Sequence, residues 1–265
     1  MNWREIDENA KKWTREAGER IRESFSTELM IHSKTSPDDL VTNIDKETEK
    51  FFIERIREIY PDHQILGEEG FGDELDNLDG TVWIIDPIDG TMNFIHQQRN
   101  FAISVAVYED GVGKIGLIYD VVHDELYHAA AGEGAYLNDT KLPALEEVSV
   151  DQSIIALNAT WITENKRIDP TIFAPLVKKV RGTRSYGSAA LEMAYVATGR
   201  IDAYFSMRLS PWDFAAGLIL VNELGGKVTN LHGESLNMLE QNSVFVSKPG
   251  LHEEISKDFL YKLKK

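Results

Sequence analysis

The sequence predicts a mixed α/β fold, of α+β or layered α/β type, built as one domain over its 265 residues. Two observations carry this expectation. Apolar residues recur at helical spacing in some segments and as short continuous or alternating runs in others, so helices and strands are interleaved along the chain. No internal repeat, low-complexity stretch or linker divides them, although the length leaves room for two intimately packed halves, near 1–145 and 146–265.

The elements follow in order. Trp3, Ile6, Ala10, Trp13, Ala17, Ile21 and Phe25 step by three or four among dense charges, which is an amphipathic helix and lacks the apolar centre of a secretory signal. A turn-rich segment is expected over 34–45. A second helix should span 44–59, with Thr48, Phe51, Phe52 and Ile56 inward. The run Trp83-Ile84-Ile85 reads as a buried strand that Pro87 and Gly90 turn at its end, with a helix starting from Gly90. An antiparallel meander is expected at 101–108, 114–121 and 125–130, with turns at Asp110-Gly111 and His123-Asp124. A strand at 154–159, helices at 170–179 and 188–198, and a strand at 201–206 come next. A helix over 213–224 is stopped by Gly225-Gly226, and strands at 228–230 and 243–247 precede a terminal helix.

Composition narrows the function. The chain is 42% apolar and 27% charged, ordinary globular usage, so disordered and fibrous readings fall away. A net charge of −16 argues against binding a nucleic-acid polymer through a general electrostatic surface. An acidic protein that acts on a phosphate ester needs a cation to bridge the same repulsion. There is no cysteine, which excludes disulfides, thiolate nucleophiles and zinc-thiolate sites and suits a cytoplasmic location. No stretch has the uninterrupted apolar length of a membrane span.

The chemistry is concentrated in Asp86-Pro87-Ile88-Asp89-Gly90-Thr91. Two carboxylates at the end of a buried strand repel one another unless a cation neutralises them, and Mg²⁺ is the natural partner of oxygen donors. The first N–H groups of a following helix would face a docked phosphate. Taken alone, the motif could be an ordinary Asx turn. Glu68 and Glu69, in Gly67-Glu68-Glu69-Gly70, could be a solvated acidic turn, and Asp213 could simply cap its helix. Lys34 and Arg184 are surface cations by default.

Taken together, Asp86-Pro87-Ile88-Asp89-Gly90-Thr91, Trp212-Asp213-Phe214-Ala215-Ala216-Gly217 with Gly225-Gly226 after it, Gly67-Glu68-Glu69-Gly70, Lys34, and Arg184 ahead of Gly187-Ser188-Ala189-Ala190 resemble the inositol monophosphatase family in order and spacing, from about residue 34 to 247. The resemblance implies a layered αβαβα sandwich of the inositol monophosphatase and fructose-1,6-bisphosphatase type, a homodimer, two to three Mg²⁺ per subunit and inhibition by lithium. It implies that Glu68, Asp86 and the carbonyl of Ile88 hold one ion, and that Asp86, Asp89 and Asp213 hold a second. A third, weaker ion would lean on Glu68. It picks Glu68 over Glu69. Thr91, oriented by Asp45, would act with Glu68 on the attacking water, and the N–H groups of Gly90 and Thr91 would receive the phosphate. Lys34, Arg184, Gly187, Ser188, Ala189 and Ser206 complete the expected substrate contacts, with 161–172 and a loop over 206–210 on the leaving-group side.

One position departs from the family pattern. Seven residues before Asp213, animal inositol-phosphate enzymes carry a glutamate that contacts inositol hydroxyls, and here the residue is Ser206. The expected activity is Mg²⁺-dependent hydrolysis of myo-inositol monophosphate, with room for broader specificity. Alternatives are hydrolysis of the NADP(H) 2′-phosphate or of fructose 1,6-bisphosphate, and, from a different class, a catalytically silent sensor of metal and phosphate ligands.

Overall fold

The structure is a computed structural model that describes residues 2–26, 29–33 and 40–264. Lys34 and the first part of the turn-rich segment, 34–39, lie outside the described residues.

The first half runs α1 (Trp3–Ser24), β1 (Ile31–Ser33), β2 (Leu40–Thr42), α2 (Asn43–Ile59), β3 (Gln64–Gly67), β4 (Thr81–Asp89), α3 (Thr91–Gln97), β5 (Ala102–Glu109), β6 (Val112–Asp120), β7 (Glu125–Ala130), β8 (Gly134–Leu137) and β9 (Thr140–Lys141). The second half runs β10 (Ile154–Leu157), α4 (Pro170–Lys179), β11 (Gly182–Arg184), α5 (Ala189–Ala197), β12 (Ala203–Leu209), α6 (Pro211–Glu223), β13 (Lys227–Thr229), β14 (Asn242–Ser247) and α7 (Leu251–Asp258). Strands β3 to β9 form one sheet in sequence order, antiparallel except for β3 beside β4. A five-stranded sheet has the order β11-β10-β12-β14-β13, with β10 parallel to both its neighbours, and β1 and β2 pair on their own.

Three apolar layers explain the stacking. In β4 every residue is buried, with Trp83 and Ile85 in one core and Val82 and Ile84 in another, because successive strand side chains point to opposite faces. Trp83 and Ile85 meet Ile6, Ala10 and Trp13 of α1 and Phe52 and Ile56 of α2. Val82 and Ile84 share a core with Leu191 and Met193 of α5, Phe214 and Ile219 of α6, and Tyr204 and Val246 of the second sheet. The far face of that sheet, Ile155, Phe205 and Phe245, packs on Phe173 of α4 and Ile255 of α7. Burying one such large side chain is worth roughly 1.5–3 kcal/mol. The result is the αβαβα sandwich, with α5 and α6 as its middle layer. Among the described residues no helix is long and apolar enough to cross a membrane.

Helix α2 and the meander match expectation to within two residues. Four places differ. The strand expected over 154–159 ends at Leu157, because Asn158 accepts the N–H of Thr160 and opens a 3₁₀ turn, Ala159–Ile162. The strand expected over 201–206 is displaced to Ala203–Leu209, so Ser206 lies inside a strand and not in a loop. Within the turn-rich 34–45, residues 40–42 are a strand and Thr42 already caps α2. Finally, β4 does not stop before Pro87 but continues to Asp89.

Candidate active site

That continuation of β4 builds the site. On a regular strand, residues three apart face opposite sides, which would separate Asp86 from Asp89. Here Asp86 pairs with Ser104 and Asp89 with Ala102, so three steps on β4 oppose two on β5. The resulting bulge turns both carboxylates the same way. The N–H of Ile88 donates to Asp86 Oδ1 at 2.9 Å and holds the bulged backbone. Both aspartates are buried.

The third acid arrives from the middle layer. Asp213 lies in the first turn of α6, which opens at Pro211 behind the N-cap Ser210. It is therefore not the cap itself but the third residue of a capping box, accepting the N–H of Ser210 at 2.7 Å. Ser104 Oγ donates to the Trp212 carbonyl at 2.9 Å and ties this turn to β5. One oxygen each of Asp86, Asp89 and Asp213 lies within 4.8 Å of the others, a set of hard oxygen donors around a space suited to Mg²⁺.

Glu68 follows β3, whose Gly67 is paired with Ile85, and this places it alongside Asp86. Burial first, then the charges of Glu68, Asp89 and Asp213, hold the Asp86 carboxyl well above the usual carboxylate range. Glu69 takes a different part: its N–H and that of Phe71 donate to the buried Glu49, at 2.7 and 2.9 Å. Sequence reasoning overlooked Glu49, whose helical position resembles that of any core-facing residue.

Gly90 follows the bulge with φ of 97°, a left-handed conformation that favours glycine, and α3 begins at Thr91. Thr91 Oγ1 lies 3.2 Å from Asp45 Oδ1 and 3.1 Å from the Ile88 carbonyl. Asp45 also closes the capping box of α2, accepting from the Thr42 N–H at 2.8 Å and from its hydroxyl. Burial pushes Asp45 up to about 6 against those hydrogen bonds, with Glu68 adding to the rise. Burial likewise carries Asp89 to about 6, although Ser188 Oγ and the Ala190 N–H both donate to its Oδ2 at 2.6 Å and pull the other way.

Those two bonds bring in the second half of the chain, where Gly187, Ser188 and Ala189 line a cavity of about 520 Å³ together with Asp89, Asp213 and Ser206. Trp161, Asn165, Lys166, Arg167, Arg208 and Leu209 line it too. Arg184 is exposed, donates to the adjacent Thr183 carbonyl at 2.8 Å and is not part of the lining.

Two positioning residues escaped the sequence. Asn93 Nδ2 donates to the carbonyls of Asn100 and Tyr186, both at 2.7 Å, clamping one half to the other. Gly187, at φ of 80°, leaves room for it, since a Cβ there would lie 2.9 Å from that nitrogen. Glu192 on α5 is buried, accepts the Tyr186 N–H at 2.6 Å and is raised by burial to about 7. No periodic pattern marks either residue: Glu192 bonds the loop six residues before it, and Asn93 reaches both Asn100 and the distant Tyr186. Asn93→Ala should cost about 2–3 kcal/mol by leaving two carbonyls unpaired, and should lower turnover more than metal affinity. Thermal denaturation beside phosphate-release kinetics checks this, and an unchanged melting temperature would dismiss the clamp.

Converging acids, a helix start and a polar cavity lined from both halves of the chain define a phosphoric monoester hydrolase that works with a divalent cation. The chain belongs to the inositol monophosphatase family, whose model matches residues 2–262. It is 64% identical over 260 residues to the inositol-1-monophosphatase of Bacillus subtilis (strain 168), covering 98% of each chain. Among solved structures it is similar to inositol monophosphate-bound SaIMPase-II of Staphylococcus aureus, with a TM-score of 0.89, 46% identity and coverage of 98% of this chain and 95% of that one. It is also similar to an IMPase/NADP phosphatase complexed with Mg²⁺ and phosphate, with a TM-score of 0.88, 28% identity and coverage of 97% and 95%.

Proposed function

We propose that this chain hydrolyses myo-inositol monophosphate to inositol and phosphate with Mg²⁺, and that it does so as a cytoplasmic homodimer whose two halves, 1–145 and 146–265, work as one unit. The observation that carries the chemistry is the meeting of the Asp86, Asp89 and Asp213 oxygens within 4.8 Å. The 64% identity to an inositol-1-monophosphatase supports the substrate. The absence of cysteine supports the location, and the net charge of −16 supports a small phosphorylated substrate over a nucleic-acid polymer. The middle layer of α5 and α6 against the first sheet supports a single working unit.

Two to three ions would be held by Glu68, Asp86, the Ile88 carbonyl, Asp89 and Asp213. When bound, Mg²⁺ neutralises charge on the phosphoryl oxygens and makes a water more acidic. The protein's own groups do the rest. With its hydroxyl hydrogen committed to Asp45 or to the Ile88 carbonyl, Thr91 Oγ1 can only accept from a further partner. It can therefore accept from the attacking water and aim that water's lone pair, while the Glu68 carboxylate receives the proton. The N–H groups of Gly90 and Thr91 would hold phosphoryl oxygens from fixed positions. Gly187, Ser188, Ala189 and Ser206 would face the alcohol. Lys34 and Arg184 are proposed as further substrate contacts.

The test is phosphate release from inositol 1-phosphate with Mg²⁺, with EDTA and with millimolar Li⁺ at sub-saturating Mg²⁺. Release that EDTA abolishes and Li⁺ suppresses is the expected result. Binding of Mg²⁺ and inositol phosphate without any release would instead identify a silent sensor on this fold.

A further inference from the structure

Helix α2 buries two acids one turn apart, Asp45 and Glu49. Residues four apart share one face of a helix. From that face Asp45 reaches the Thr91 hydroxyl, 3.2 Å from its Oδ1. Glu49 reaches the turn that carries Glu68. Its Oε2 accepts the Glu69 N–H at 2.7 Å and its Oε1 accepts the Phe71 N–H at 2.9 Å, so one carboxylate spans the turn. Lys50, the next residue of α2, sets its Nζ 4.4 Å from the centre of the Phe71 ring. On the other side the Glu68 N–H donates to the carbonyl of Ile85, the residue before Asp86, at 3.2 Å. The backbone of Glu68 is therefore fixed before it by β4 and after it by α2.

A carboxylate buried in a helix that also buries Phe51, Phe52 and Ile56 costs stability unless its oxygens are bonded. Bonds from N–H groups to an ionised carboxylate are about twice as strong as neutral ones, so this one grips the turn firmly. The chain also makes room for it. A Cβ on Gly67 would lie 2.5–2.7 Å from the Glu49 carboxyl atoms, so only glycine lets the end of β3 come this close. We propose that Glu49 is a positioning residue that fixes, through the backbone of residues 69–71, where the Glu68 carboxylate stands. Helix α2 then sets both groups that act on the attacking water, Thr91 through Asp45 and Glu68 through Glu49. The inference rests on the phosphatase reading above.

Glu49→Gln keeps the shape of the side chain but offers one acceptor oxygen and turns an NH₂ group toward the second N–H. At saturating Mg²⁺, kcat for inositol 1-phosphate should fall by roughly 10- to 100-fold with KM changed less than about twofold, because the N–H groups that would hold the phosphate belong to α3. Calorimetric titration of Mg²⁺ without substrate should show binding weakened by roughly tenfold. Gly67→Ala leaves the Glu49 charge in place but pushes it off the turn, and should give the same pattern. Ile255→Ala, in the core on the far face of the second sheet, serves as the variant that loses stability alone. Unchanged kcat and Mg²⁺ affinity in Glu49→Gln, or losses no larger than in Ile255→Ala, overturn the proposal. A loss in Glu49→Gln that Gly67→Ala does not share assigns the effect to charge and overturns it too. If Glu49→Gln does not fold, Gly67→Ala decides. No phosphate release by the unaltered protein fails the phosphatase reading itself, and the Mg²⁺ titration still decides the role of Glu49.

Discussion

Asp86→Asn should lower Mg²⁺-dependent phosphate release by on the order of a thousandfold or more, while the metal-free protein melts at a higher temperature than the unaltered one. Asparagine keeps the shape of the side chain, and its Oδ1 can still accept the Ile88 N–H that holds the bulge at 2.9 Å. What disappears is a buried charge facing Glu68, Asp89 and Asp213. Removing it relieves repulsion and desolvation together, which should stabilise the metal-free fold by about 1–4 kcal/mol. The same change leaves bound cations with one fewer anionic partner, so added Mg²⁺ should raise the melting temperature less than before. Kinetics, with calorimetry in EDTA and in Mg²⁺, separates this from a structural role for Asp86. Normal turnover, or a lower melting temperature in EDTA, would remove Asp86 from the proposed metal site.

The second large effect is on stability against pH. Burial raises Asp45 and Asp89 from 3.8 to about 6 and holds Asp86 well above 3.8 too. Groups raised on folding bind more protons folded than unfolded, so stability falls as pH rises. Their contribution is complete below pH 3.8 and, for Asp45 and Asp89, is lost as the pH passes through about 6, while Asp86 adds to the loss in the same direction. For Asp45 and Asp89 the loss is about 3 kcal/mol each at most. Mg²⁺ should cancel most of the part that arises at Asp86 and Asp89, because it takes the place of the protons. Urea denaturation of the EDTA-treated protein between pH 4 and 8 should show the decline, and saturating Mg²⁺ should flatten it. A metal-free stability that climbs over this range would mean the acids are compensated by groups other than a cation.

Much of this site was legible before any coordinates. The apolar run into Asp86 and Asp89 could be read because β4 is buried on both faces and leaves no polar alternation. The meander β5–β7 and helix α2 could be read because their periodicity is local. What could not be read depends on contacts between elements, which leave no periodic pattern in the sequence. Pro87 and Gly90 signalled a turn, yet the strand runs on to Asp89, because pairing with β5 absorbs the extra residue as a bulge. The strand was expected to end at Ser206 and give way to a loop, but β12 is held through Leu209 by β14. Asn93 and Glu192 are unremarkable in sequence, and each acts on Tyr186 from another element.

The sequence by itself therefore determined the chemistry: acids rather than thiols, a strand end that carries two of them, and a later helix that supplies a third. Tertiary structure decided which groups meet. It set Glu68 beside Asp86 and tied the Glu69 backbone to Glu49, through the parallel pairing of β3 with β4. It also put Lys166, Arg167 and Arg208 on one wall while leaving Arg184 off it. The physical reason is that donor identity is covalent and present in every state of the chain. Donor geometry comes from strand register and layer packing, which exist only once distant segments have been brought together.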